Sequence, residues 1–415
     1  MMGALFAGVS GLRSHQTQMD VIGNNIANVN TVGFKASRVT FKEAFVQVLR
    51  GASRPATLGG TNPVQIGTGV NIGSIDQLFT QGSLETTGQT LDLAIQGNAL
   101  FVLSNGQRPV YTRAGNFQLD ANGRLISGAN GYVVQGINAD PLGNFSSSSS
   151  IGDIQLQLGA KSPAQATTQI GLTGNLDAGA AVGDTHTMGI TVYDSAGAPH
   201  DLQLLFTNTG PGTWDWTASS TSAPVTPAGT GTVTFNANGS LASFTYPGGG
   251  SNLTLTPSSG APFQVSINSG TINGFDGLAG FANPSNAVVN SQDGYPAGDL
   301  INISVDAQGI ITGFFSNGVN KPLAQVALAS FNNPSGLLRN GENVYEESPN
   351  SGLAVIGFAG TGGNSSITAG ALESSNVDIS TEFASMIIAQ RGFQANARVI
   401  STADEMLQEL VNLRR

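Results

Sequence analysis

The sequence has no cysteine. Disulfides, thiolate metal sites and cysteine nucleophiles are therefore excluded together. The absence suits a chain handled unfolded and delivered outside the cell, where a stray thiol is a hazard. Charge is also scarce, at 10% of residues against about a quarter in an ordinary soluble domain. Ser, Thr, Asn, Gln and 56 Gly must form most of the surface, which fits secretion or burial against copies of the same chain. Basic residues are the scarcest, 16 against 26 acidic, for a net charge of −10. Between Arg124 and Arg339 only Lys161 and Lys321 are basic, so the middle of the chain cannot form a phosphate-binding groove, and no nucleic-acid partner is expected. No stretch approaches the roughly 18 consecutive apolar residues of a membrane span, so membrane insertion is not expected. The opening residues lack the basic region, apolar stretch and small cleavage site of a signal peptide, and export is expected to proceed without one.

What is present falls into nested textures along 415 residues, a length that suggests two or three domains. Residues 3–29 read as a helix with Leu5, Val9, Leu12, Met19, Ile22 and Ile26 on one side. Leu5, Leu12, Met19 and Ile26 recur every seven residues. From Asp378 to Asn412 there is no proline, and Met386, Phe393, Ile400 and Leu407 repeat the same spacing, with Phe383 and Leu410 filling the stripe. Ser374, Ser375, Asn376 and Asp378 are capping residue types ahead of this helix. Neither helix has a partner nearby in sequence. The two ends are therefore expected to pair, with small residues such as Gly8, Gly11, Ala389 and Ala397 allowing close approach.

Between the ends, apolar alternation punctuated by Gly, Asn and Asp reads as β-hairpins. Asp120–Gly123, Asp194–Gly197, Asn236–Gly239 and Asp306–Gly309 share one turn formula, an Asx opening and a glycine close. The serine run Ser146–Ser150 marks a crossing between domains. The expected fold is mainly β with a terminal α-helical coiled coil, two β domains being looped out from paired N- and C-terminal helices, one inserted in the other. The expected boundaries are 1–29 and 371–415 for the helices, 30–70 for a connector that turns Gly-rich over Thr57–Gly69, 71–145 and 286–370 for a split β domain, and 146–285 for the inserted one.

No constellation in the sequence supports catalysis. The acidic turns carry too few ligands for a calcium loop. His15, His186 and His200 are scattered without metal-ligand spacing. Ser10 lacks the second glycine of a nucleophile elbow, and Gly357–Gly363 matches no nucleotide-binding fingerprint. Trp214 and Trp216 alternate on one strand face, where filling the core of the inserted domain is expected over gripping a sugar or a partner. No enzyme, cofactor or metal site is expected.

Four blocks carry a family resemblance. Asn24-Asn25-Ile-Ala-Asn28-Val-Asn30-Thr31-Val-Gly33-Phe34-Lys35 resembles the N-terminal signature of the bacterial flagellar rod and hook proteins. Gly82–Gly88 with Leu91–Gly97, and Tyr111–Phe117, are similar to its next blocks. Gly370–Asp378, which holds Asn376, runs through Gln390-Arg391-Gly-Phe393 and resembles its C-terminal signature. The length and the insertion are similar to the hook members. The resemblance implies paired helices lining a channel, with middle and outer β domains around them, in a helical homopolymer acting as a universal joint. It also implies location in the extracellular hook, export through the flagellar type III apparatus, and contacts with a distal rod protein, a hook-cap protein and a hook-filament junction protein. A distal rod protein is the alternative within the family. A secreted adhesin or carbohydrate-binding protein is the alternative outside it.

Overall fold

The computed structural model describes residues 2–52, 60–141, 143–146, 150–156, 159, 161–360 and 365–412. Ser147–Ser149 of the serine run, part of the Gly-rich 57–69 segment, part of Gly357–Gly363 and the side chain of Leu410 lie outside the described residues.

The heptad stretch at the N-terminus forms α1, Met2–Ala27, and the C-terminal one forms α2, Ile379–Asn412. Asp378 caps α2. Its Oδ1 accepts the Ser380 N–H at 2.9 Å and its Oδ2 the Thr381 hydroxyl at 2.6 Å, satisfying donors that the first turn leaves free. These bonds, the Thr381 one foremost, hold its carboxyl below the ordinary aspartate value.

Two compact units follow from the chain's contacts. Unit 1 comprises residues 1–157, 303–312 and 322–415, and unit 2 comprises 158–302 and 313–321. In unit 1, α1 leads into a β-ribbon made by β1 (Ser37–Glu43), β2 (Val46–Arg50), β3 (Val64–Gly67) and β4 (Val70–Gln77). β1 pairs with β4 and β2 with β3, all antiparallel. The β1–β4 end leans on α1, where Ser10 Oγ accepts the Val70 N–H. The β2–β3 end is exposed on both faces, leaving Phe45, Val48, Leu49 and Ile66 in water.

After the ribbon come β5 (Leu84–Thr86), β6 (Leu93–Gln96), β7 (Leu100–Ser104) and β8 (Pro109–Thr112). β7 pairs with β8, while Val134 sits opposite Leu103 and Leu328 opposite Phe101. Strands from both sequence halves of the unit thus share one sheet around Leu93, Phe101, Phe117, Val134, Ile311 and Val326. A second cluster around Leu100, Val102, Tyr111 and Tyr345 lies apart from it.

Unit 2 is two sheets closed on one core. The first is an antiparallel meander of Thr185–Tyr193, Pro199–Gly210, Thr213–Ser219, Gly231–Phe235 and Leu241–Thr245. The second includes Gln169–Asn175, Leu253–Leu255, Phe263–Asn268 and Val288–Gln292. Inward residues alternate along each strand, as expected where one sheet face meets another. Trp214 and Trp216 both point into this core, Trp216 stacked between Phe206 and Phe244.

The four turns share the expected geometry. The closing glycines Gly123, Gly197, Gly239 and Gly309 all have positive φ, and each N–H returns to the carbonyl of the opening Asx. In the three Asp turns Oδ1 also accepts two backbone N–H groups. In the fourth, Asn238 takes that role toward Ser240 N. Because Trp216 anchors the aromatic stack, Trp216→Ala is expected to destabilise unit 2 by about 3–5 kcal/mol, read by urea unfolding followed in the near-ultraviolet. A loss under about 1 kcal/mol would show that the stack is not a core element.

Candidate functional site: where the chain ends meet

α1 and α2 run antiparallel. A Cβ on Gly8 would meet Ile400, and one on Gly11 would lie 2.7 Å from the Asn396 amide. Further along, a Cβ on Gly392 would lie 2.6 Å from the His15 ring, so the side chains of Ile400, Asn396 and His15 fill the space that these three glycines leave, and a larger residue at any of them would require its neighbour to shift. At the far end Asn25 donates to Glu382 Oε1 at 2.9 Å and brackets the Ser37 backbone, donating to its carbonyl at 2.8 Å and accepting its N–H at 3.0 Å. That one amide joins α1, β1 and α2. Burial raises the Glu382 carboxyl above its ordinary value, against the Asn25 bond.

The heptad residues flank this line. Leu5, Leu12, Met19, Ile26, Met386, Phe393, Ile400 and Leu407 are half-buried, Ile22 is buried, and Val9 and Phe383 are exposed. Closest approach falls instead to Gly8, Gly11, His15, Gly392 and Asn396. Apolar periodicity does not register glycine or asparagine, and so it misses Gly392 and Asn396. His15 packs, touching Gly392 and the edge of Phe41.

The signature residues sit at the junction below the helices. Asn28 closes the end of α1, its amide donating to Asn24 O at 2.9 Å and its Oδ1 accepting from Thr31 at 3.1 Å. Gly33 has φ +67°, and a Cβ there would lie 2.6 Å from the backbone of Ala114, so the turn requires glycine. Phe34 is fully buried beneath the Arg339 guanidinium, 4.7 Å from the ring centre. Asn376 ties the C-terminal segment down, donating to Leu78 O at 2.7 Å and accepting from Ala36 N at 2.8 Å. Asn24, Asn30, Gln390 and Arg391 are exposed.

Beneath them lies a buried charge node. Glu373 Oε1 accepts from Lys35 Nζ at 2.7 Å and from the Gly82 N–H at 2.7 Å, while Oε2 accepts from Arg113 Nε. Lys35 Nζ also donates to Thr80 O at 2.7 Å, and Arg113 to the carbonyls of Ile95 and Ala99. All three side chains are out of water. Each participant comes from a different signature block: Lys35 from the first, Gly82 from the second, Arg113 from the third and Glu373 from the last. Burial alone would raise the Glu373 carboxyl, but Arg113 and Lys35 overcome it and hold it below its ordinary value. Burial lowers Lys35, and its bond to Glu373 offsets only part of that.

A second polar cluster occupies unit 2. His200 Nδ1 is 3.0 Å from Ser222 Oγ, and Nε2 is 3.3 Å from Asp194 Oδ2. The order imitates a hydrolytic relay, but Ser222 Oγ also lies 3.2 Å from Asp201 Oδ1 and the next N–H, of Ala223, is bound to Ser220. A negative charge beside the hydroxyl and a spent donor oppose any oxyanion there. Among the described residues no group of His, Asp or Glu is placed to hold a metal ion, and no helix is long and apolar enough to cross a membrane.

Two outcomes follow from this geometry. Gly392→Ala is expected to weaken helix pairing although alanine favours a helix, whereas Gly23→Ala, where nothing lies within 4 Å, should stabilise α1 by up to about 1 kcal/mol. Circular dichroism melts of both variants give the check, and equal shifts would contradict the close approach. Since the folded Glu373 carboxyl binds its proton less tightly than the unfolded one, its contribution is present above the ordinary carboxylate range and lost as pH falls through the lower folded value. Glu373→Gln should flatten that limb of unit 1's stability profile, and an unchanged acid limb would place the dependence elsewhere.

Comparison with known proteins places the signature blocks within known families. Residues 5–35 match the family described as flagella basal body rod protein, and 94–178 the flagellar hook protein FlgE/F/G D1 domain. Residues 175–295 match the flagellar basal body protein FlaE D2 domain, and 368–413 the flagellar basal body rod FlgEFG protein C-terminal family. The chain is 39% identical to the flagellar hook protein FlgE of Borreliella burgdorferi and 41% identical to that of Treponema pallidum, in both cases over all of each chain. In fold it is similar to the crystal structure of the Helicobacter pylori flagellar hook protein FlgE2, with a TM-score of 0.53 and 16% identity, over 70% of this chain and all of that one. With its ends paired, its β units between them and full-length hook-protein relatives, the chain belongs to the flagellar hook protein FlgE family.

Proposed function

We infer that this chain is the structural subunit of a flagellar hook, polymerising into a curved, flexible tube that passes torque from rod to filament as a universal joint. The carrying observation is the apolar surface that the helix pair leaves in water. Phe6 and Val9 on α1, and Phe383, Ile387, Ile388, Val399 and Met406 on α2, are all exposed, Ile388 at 66%. None of the described residues covers them, whereas a neighbouring copy presenting the same helices does. The half-buried heptad residues, from Leu5 to Ile26 and Met386 to Leu407, are then shared between the pair within one chain and the seam between chains. The exposed β2–β3 end of the ribbon adds to the same argument, because a two-stranded ribbon wet on both faces gains little from its apolar side chains.

On this reading the terminal helices form the inner core of the tube, 30–70 the connector, 71–145 with 286–370 a middle β domain, and 146–285 an outer one, although by its contacts the last of these runs instead over 158–302 and 313–321. The outer surface is rich in Ser, Thr and Asn and poor in cations, so copies slide by exchanging weak hydrogen bonds rather than breaking ion pairs. The polymer lies outside the cell. Its two ends need different neighbours, a distal rod protein at the base and a hook-cap or hook-filament junction protein at the tip, after export through the flagellar type III apparatus. The chain works by assembly, without catalysis or cofactor.

Ile388→Asp places a charge on the exposed face and touches nothing inside the monomer's core. The expected result is a monomer with unchanged melting temperature that forms no tubes by electron microscopy and supports no motility. Normal hooks from this variant would sink the assignment of that face to assembly.

A further inference from the structure

The charge node is not symmetric in what it requires. Without Lys35, Glu373 still has Arg113 and the Gly82 N–H, and the buried pair remains balanced. Without Glu373, Lys35 and Arg113 face each other out of water with no anion between them, and stranding a buried charge costs far more than never burying it. The backbone bonds repeat the asymmetry. The C-terminal strand Ala371–Glu373 lies on β5 in register, Ala371 opposite Thr86 and Glu373 opposite Leu84, with Ser374 N bonded to Ser83 O at 2.8 Å. None of these bonds involves the N-terminal turn. That turn, residues 33–36, makes three of its backbone bonds to the C-terminal segment. Gly33 N donates to Glu373 O at 2.8 Å, Ala36 N to the Asn376 side chain at 2.8 Å, and Phe34 O accepts from Asn376 N. Its other bonds are Phe34 N to Thr31 O within the turn, and Leu78 N to Ala36 O and Lys35 to Thr80 O at the ribbon's exit, with Phe34 packed under Arg339.

We propose that the Glu373 node is a one-way latch: the C-terminal strand docks on the β unit by itself, and only then can the N-terminal turn, and α1 above it, take its seat. The junction thus orders the two ends in a fixed sequence, last part of the chain first.

The test is hydrogen–deuterium exchange on the full-length monomer, read separately over residues 33–36 and 371–376. Glu373→Gln should speed exchange at 33–36 on the order of 100-fold, whereas Lys35→Met should leave 371–376 within about threefold of the parent. Adding Lys35→Met to Glu373→Gln removes a stranded cation and should return part of the lost protection at 33–36, a reversal that simple loss of packing does not produce. If Glu373→Gln alone fails to fold, recovery of folding in the double variant supports the latch in the same way. The proposal is overturned if Lys35→Met frees 371–376 as strongly as Glu373→Gln frees 33–36. It is equally overturned if the double variant is worse than Glu373→Gln, or if residues 371–376 already exchange freely in the parent monomer.

Discussion

A single buried carboxylate sets the terms for the rest of unit 1. Glu373 gathers Lys35 from 338 residues earlier in the chain and Arg113 from 260 residues earlier, and fixes the Gly82 backbone as well. Hydrophobic burial alone would let these segments pack in several registers, since apolar contacts are non-directional. Two buried cations that share one carboxylate admit few arrangements, since any that moves the carboxylate away strands both of them out of water. The pairing of α1 and α2 inherits that precision, because both helices leave the junction within a few residues of it. A structural protein that must repeat one shape many times needs such a fixed point more than it needs added stability.

Above the junction the helices obey a different rule. Gly8, Gly11 and Gly392 leave room that Ile400, Asn396 and His15 of the facing helix occupy, while most of the larger heptad residues stay half-exposed at the flanks. An isolated pair built this way is incompletely satisfied: the contact is close but narrow, and leucine, isoleucine and phenylalanine remain half in water. A tight pair with unfinished edges suits a subunit meant to be completed by others.

The outline of this fold was legible in the sequence because it is written in local patterns. A seven-residue repeat in Leu5, Leu12, Met19 and Ile26 reports a helix, and Asp-x-x-Gly reports a turn whose geometry depends on those four residues alone. The centre of the site was not legible. Lys35, Arg113 and Glu373 each look like one charged residue in a signature, and nothing local tells Lys35 that its partner lies near the other end of the chain. The signatures could be read as a family resemblance without the reason for them, which is that their members touch. The close line of the helix pair was hidden in part for a related reason. Gly392 and Asn396 carry no apolar signal, yet Gly392 leaves the room that His15 occupies and Asn396 occupies the room left by Gly11.

The unequal lengths of the two helices have a consequence of their own. α2 has 34 residues and α1 has 26. With Gly8 opposite Ile400, the described part of α1 has less than about two turns left, which brings Met2 level with the neighbourhood of Met406. The last turn of α2 therefore lies past the described part of α1, whereas at the other end Asn25 still faces Glu382. A pair with unlike ends is polar along its axis, and copies joined end to end would all point one way.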